Sequence, residues 1–189
     1  ESKTLLSENY VNANGIPAAQ RVRPNRATAT ALLARTYLYL KKWSEAELEA
    51  TEIINNSLFQ LETDLNKVFL ADDNKEAIWQ LESPNTGFNA PDGEFIRGYY
   101  TAEGPSFINP FSLNESLYTS FESGDARKAN WTTSKTFNNT TYYFPFKYKL
   151  SDNTNQPPVE YPTVIRLAEI YLIRAEARAE MGNTTGARE

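Results

Sequence analysis

The sequence has no cysteine and no histidine in its 189 residues. The first absence removes disulfides and thiolate chemistry, the second removes imidazole as a general base, and together they exclude nearly all zinc sites. Long apolar runs are lacking too, so no segment reads as a membrane-spanning helix. The first ten residues, ESKTLLSENY, have neither the basic start nor the apolar centre of a secretory signal, and the single methionine is Met181. Positive charge is in deficit: 19 Lys and Arg face 24 Asp and Glu, for a net charge of −5 and a pI near 5.0. Nucleic-acid binding is excluded on that ground, because it relies on clustered cations that displace counterions from phosphates. Arg21, Arg23 and Arg26 come nearest to a cluster, and they read as a charged loop leading into a helix.

What is present is the composition of a folded domain, 40% hydrophobic and 23% charged. Its aromatics are concentrated: of 24 Phe, Trp and Tyr, 16 fall between Trp79 and Tyr148. The chain is thereby divided into residues 1–57, 58–161 and 162–189, read as parts of one larger domain. In the first part, RATATALLARTYLYLKKW places Ala31, Ala34 and Leu38 on one helical face and Leu33, Tyr37 and Leu40 on its neighbour, so this helix packs on two sides. SEAELEATEIINN follows, with Ser44 and Glu47 spaced as a capping box and Ala46, Ala50 and Ile53 at helical intervals. The sum is an αα-hairpin.

The last part repeats the theme. Ile165, Ala168, Leu172, Ala175 and Ala179 form a predicted apolar stripe that Gly182 ends, and NTTGARE reads as the turn into a second helix. At a constant offset of 141, Ala34 falls on Ala175, Leu38 on Ala179, Leu40 on Met181, Ser44 on Thr185 and Ala46 on Ala187. Small residues on both sides of the turn are what close helix crossing in a tetratricopeptide-like hairpin requires. Such a hairpin buries its faces only against neighbours, so the expectation is an internal piece of a longer helical-repeat protein.

Between the hairpins the pattern is irregular. KEAIWQL, in which Ala77, Trp79 and Leu81 alternate with polar residues, predicts a strand with Trp79 in the core, and TTYYFPFKYKL predicts another with Pro145 at a break. The rest has loop composition. A fold that is mainly α, with helical hairpins and a loop-rich insertion holding a few short strands, accounts for the whole. No carboxylate pair is fixed by spacing: Glu94 with Glu103, or Asp92 with Asp125, have the residue types of a glycosidase but nothing that sets them across a cleft. Asp72 and Asp73 lack the glycine and terminal Glu of a calcium loop. No catalytic residue, metal or cofactor is assigned.

Five stretches in order along the chain resemble the SusD/RagB family of outer-membrane glycan-binding lipoproteins of Bacteroidota: RATATALLARTYLYLKKWSEAELEA, EAIWQLE, SGDARKANW, YFPFKYK and YPTVIRLAEIYLIRAEARAEMGN. The resemblance implies a superhelix of tetratricopeptide-like helix pairs carrying a loop-rich, sugar-contacting insertion. It implies a non-catalytic protein that binds oligosaccharide or polysaccharide at the cell surface, held to the outer membrane only by a lipid anchor outside these residues. It also implies a SusC-like TonB-dependent transporter as partner. A tetratricopeptide-type scaffold for protein segments is the alternative from another class, and a glycoside hydrolase the third.

Sugar rings present apolar C–H faces that flat aromatics match at small entropic cost, so exposed Trp and Tyr are the natural platforms. Trp131, in the polar setting GDARKANWTTS, and Tyr99 with Tyr100, flanked by Gly98 and Gly104, are the expected contacts. Asn85, Asn89 and Asp92 lie in a Pro- and Gly-rich loop, where turn capping accounts for them.

Overall fold

The computed structural model describes residues 2–82, 105, 111–149 and 159–189. Two compact units emerge, one made of Glu1–Glu62, Ala71–Leu81 and Thr163–Glu189, the other of Thr63–Leu70 and Glu82–Pro162.

The first unit is helical. A short α1 (Ser2–Leu5) precedes α2 (Arg26–Tyr39) and α3 (Trp43–Ile54), and the strand β1 (Ala77–Gln80) belongs to the same unit. Asn25 starts α2 with a capping box that the sequence reading missed. Its side chain accepts the Thr28 N–H at 3.0 Å, and the Thr28 hydroxyl accepts the Asn25 N–H at 3.4 Å. The capping box expected at Ser44 and Glu47 does not form. Helix α3 begins one residue earlier, at Trp43, because the chain turns sharply through Lys41, and Ser44 is then already inside the helix. Its hydroxyl lies 3.4 Å from the Met181 sulfur, while Glu47 accepts a charge-assisted bond of 2.6 Å from Arg178 Nε.

Burial on α2 follows its small residues: Ala27, Ala31 and Ala34, with Thr28 and Thr30, are inside, and Ala46, Ala50 and Ile53 of α3 join the same core. Side chains of this size let the two helix backbones approach closely. The strand β4 (Thr163–Arg166) pairs antiparallel with β1 and runs directly into α6 (Leu167–Glu180), so that α3 packs against both α2 and α6. The buried face of α6 is Leu167, Ile170, Ile173 and Ala177, not the stripe predicted from Ile165 through Ala179. Ile165 lies in β4 and Arg166 is extended (φ −134°, ψ 158°), so the helical phase restarts at Leu167. Leu172 is left 69% exposed.

The two hairpin turns repeat bond for bond. After α2, the N–H groups of Leu40, Lys41 and Lys42 reach the carbonyls of Thr36, Leu38 and Tyr37 at 2.9–3.0 Å. After α6, those of Met181, Gly182 and Asn183 reach Ala177, Ala179 and Arg178 at 2.9–3.2 Å, and one turn of 3₁₀ helix follows at Gly186–Arg188. Every pair keeps the offset of 141 seen in the sequence. This is the Schellman closure, which needs a left-handed residue just past the helix.

A half-buried arginine fastens the loop before α2. Arg21 lies between the rings of Tyr10 and Phe59, 5.4 and 5.1 Å from their centroids, and donates to the carbonyls of Ala77 and Leu58. Tyr10 in turn donates to the Ile78 carbonyl at 2.7 Å. In β1 the alternation differs from expectation: Ala77, Ile78 and Gln80 are buried, Trp79 is half-buried with its indole N–H 3.3 Å from the Val22 carbonyl, and Leu81 is exposed. The inward Ile78 and Gln80 outcompete the alternation read from Ala77, Trp79 and Leu81.

In the second unit, α4 (Glu115–Thr119) and α5 (Ala126–Trp131) precede a hairpin of β2 (Thr132–Phe137) and β3 (Thr140–Pro145). Strand β3 is the one expected from TTYYFPFKYKL. Its partner β2, TTSKTF, went unread because it carries little apolar alternation. Asn138 and Asn139 close the hairpin with φ of 48° and 61°, the left-handed pair a two-residue turn demands and one that Asn tolerates.

Candidate functional site

Most of the aromatic residues belong to the second unit. Trp131 is buried, at 8% exposure, which corrects the expectation that its polar neighbours expose it. It ends α5, and its indole packs inward onto Val68 and Phe69 while Arg127 and Ala129 are exposed. The indole N–H donates to the Leu65 carbonyl at 3.0 Å, the ring meets Phe69 edge-on at 5.5 Å, and the Lys147 ammonium sits 5.4 Å from its centroid. Polar neighbours belong to the helix surface and do not report on the side chain that ends it. Tyr99 and Tyr100 lie outside the described residues, as do Asn85, Asn89, Asp92, Glu94 and Glu103.

Asp125 is committed elsewhere. Its carboxylate caps α5 by accepting the Arg127 N–H at 2.9 Å and pairs with the Arg127 guanidinium at 2.6 Å. That side-chain bond holds its carboxyl below the usual carboxylate range and pushes Arg127 up. A carboxyl kept ionised in this way is unsuited to donating a proton to a leaving group. Among the described residues, no group of three or more acidic side chains is placed to hold a metal ion.

One arrangement was not visible in the sequence. Tyr118 of α4 stacks on Tyr143 of β3, ring centroids 3.5 Å apart and planes 15° from parallel, and the Lys128 ammonium of α5 lies 4.3 Å from the Tyr118 centroid. Asn114 makes this possible by capping α4 with its side chain on the Ser116 N–H at 2.8 Å, as Asp125 caps α5. Between the two helices opens a groove of about 640 Å³, lined among others by Tyr118, Phe121, Glu122, Asp125 and Lys128. The helices are five and six residues long, too short to show a period, so only their two caps carried a signal.

The model of the SusD family matches residues 106–189. That match agrees with the resemblance read from the motifs. No curated protein matches the sequence significantly. Among solved structures, a SusD-like carbohydrate binding protein from Bacteroides vulgatus superposes with a TM-score of 0.70 at 23% identity, covering 98% of this chain and 38% of its own. NanU of B. fragilis gives 0.66 at 22%, with 86% and 42% covered, and surface glycan-binding protein A of Bacteroides uniformis gives 0.69 at 18%, with 96% and 43%. The fold is thus the mainly α, SusD-like one. The chain spans about two fifths of the length of these structures.

Proposed function

We propose that this chain is part of a non-catalytic protein that binds oligosaccharide at the surface of a bacterial cell and delivers it to a SusC-like TonB-dependent transporter in the outer membrane. The observation that carries this reading is the SusD-family match over residues 106–189, together with superposition on proteins named for carbohydrate and glycan binding. The helical residues 1–57 and 162–189 and the insertion 58–161 act as parts of one larger domain, held at the membrane by a lipid outside these residues. With Trp131 inside a core, Tyr99 and Tyr100 remain the aromatic contacts that the sequence supports.

Affinity electrophoresis against a panel of polysaccharides tests binding, and titration of the Tyr99→Ala/Tyr100→Ala variant tests the contacts. An anchoring aromatic cut to Ala costs on the order of 2 kcal/mol, close to thirtyfold in affinity. Retardation by no polysaccharide, with tight binding of peptides instead, would replace this reading with that of a protein scaffold. Release of reducing ends would make the protein a hydrolase.

A further inference from the structure

The groove between α4 and α5 has a chemistry of its own. Tyr118 has no free face: Tyr143 covers one side and the Lys128 ammonium the other. It is therefore a wall, and the flat apolar surface left to a ligand is Phe121, half-buried at the groove edge, with Ala126 and Ala129 beside it. Asp125 is neutralised by Arg127. Two charged groups in the lining hold no hydrogen bond or ion pair to a described residue: the Lys128 ammonium, which meets the Tyr118 ring, and the Glu122 carboxylate, whose charge is felt by Arg127 without direct contact. One supplies only hydrogen-bond donors, the other only acceptors.

A ligand that satisfies both must offer acceptors and donors within one small body. A hydroxyl group is both at once, and a ring of hydroxyls with a C–H face meets Phe121, Lys128 and Glu122 together. A carboxylate would satisfy Lys128 but repel Glu122, and a primary amine would do the reverse. We infer that this groove is a subsite for a neutral sugar unit, stacked on Phe121 and held by Lys128 and Glu122. The inference rests on the carbohydrate-binding reading above and adds a position and a charge class to it; it does not involve Tyr99 or Tyr100.

The test uses the full chain and four probes, the hexasaccharides of the malto, cello and xylo series and of galacturonic acid, with affinities read by titration calorimetry. The expected result is binding of at least one neutral hexasaccharide that weakens about tenfold in Phe121→Ala and in Lys128→Met and by a smaller factor in Glu122→Gln. Phe121→Leu, which keeps the packing volume but removes the flat face, weakens binding as well, and this separates stacking from folding. Lys128→Arg retains most of the affinity. Wild-type affinity in both Phe121→Leu and Lys128→Met would overturn the subsite while leaving carbohydrate binding intact. Preference for the galacturonate probe would overturn the neutral class. Binding of no probe, here and in the polysaccharide panel, would end both readings.

Discussion

Lys41 and Gly182 occupy the same left-handed position at the ends of α2 and α6, with φ of 57° and 82°. Each N–H reaches back to a carbonyl at 2.9 Å, Leu38 for the first and Ala179 for the second. The bonding is equivalent, but only one of the two residues is free of a Cβ. A left-handed L-residue carries about 1–2 kcal/mol of steric strain.

The first prediction follows from that inequality. Lys41→Gly relieves the strain and adds unfolded-chain freedom of about 0.5–1 kcal/mol, for a net stabilisation of about 0.5–1 kcal/mol. Gly182→Ala introduces the same strain at the other turn, where open space surrounds the new Cβ and only the backbone resists. Urea unfolding followed by the helical circular dichroism signal reads both, with midpoints moving in opposite directions. A lower midpoint for Lys41→Gly would mean that the Lys41 side chain stabilises the turn by more than its strain.

The core contact of the hairpin gives the second. Ala34 and Ala46 are both fully buried in the cluster that joins α2 and α3. Ala34→Phe overpacks this contact and is expected to destabilise the protein by about 1–3 kcal/mol. Leu48→Ala is the control, since Leu48 is 69% exposed and its truncation should leave the midpoint where it was. An unchanged midpoint for Ala34→Phe would deny the close crossing.

These two sites also show where the sequence was legible. The helix pair and its repeat could be read because small residues recur at fixed positions on each side of a turn, and Gly182 marks the second turn openly. Lys41 does not, since nothing in its identity announces a positive φ. The face of α6 is hidden for a different reason: a strand runs into the helix without a break, and a period that starts at Ile165 starts in β4. In the second unit, burial is decided by contacts far apart in sequence, such as Trp131 with Leu65 and Phe69, and the Tyr118–Tyr143 stack depends on a hairpin whose first strand has almost no apolar pattern.

The third prediction concerns Trp131. Buried, bonded to the Leu65 carbonyl and packed on Phe69, it is a core residue of the second unit, and Trp131→Ala is expected to destabilise that unit by about 3–5 kcal/mol. Half-buried Trp79 has less to lose, so Trp79→Ala should fall below that range. Tryptophan-fluorescence unfolding of both variants gives the comparison. Near-native stability for Trp131→Ala, accompanied by weakened sugar binding, would restore it as a contact residue.

The last prediction is a pH dependence at the alkaline end. Burial pushes the Tyr10 hydroxyl up to about 12, against a partial downward pull from Arg21, because an ionised phenol would lose water in the core beside the Ile78 carbonyl. In the unfolded chain the same group ionises near its ordinary value of about 10. The folded pKa is the raised one, so the contribution is fully present below pH about 10 and is lost as pH climbs through about 12, with stability falling by up to about 1.4 kcal/mol per pH unit from this group alone. Tyr10→Phe removes the titration together with the bond to Ile78. It should therefore start less stable at neutral pH by about 1 kcal/mol and lose less stability than the parent between pH 10 and 12. Parallel urea curves at pH 8, 10 and 11.5 decide it, and a constant difference between parent and variant across that range would show that Tyr10 ionises no later than an exposed tyrosine.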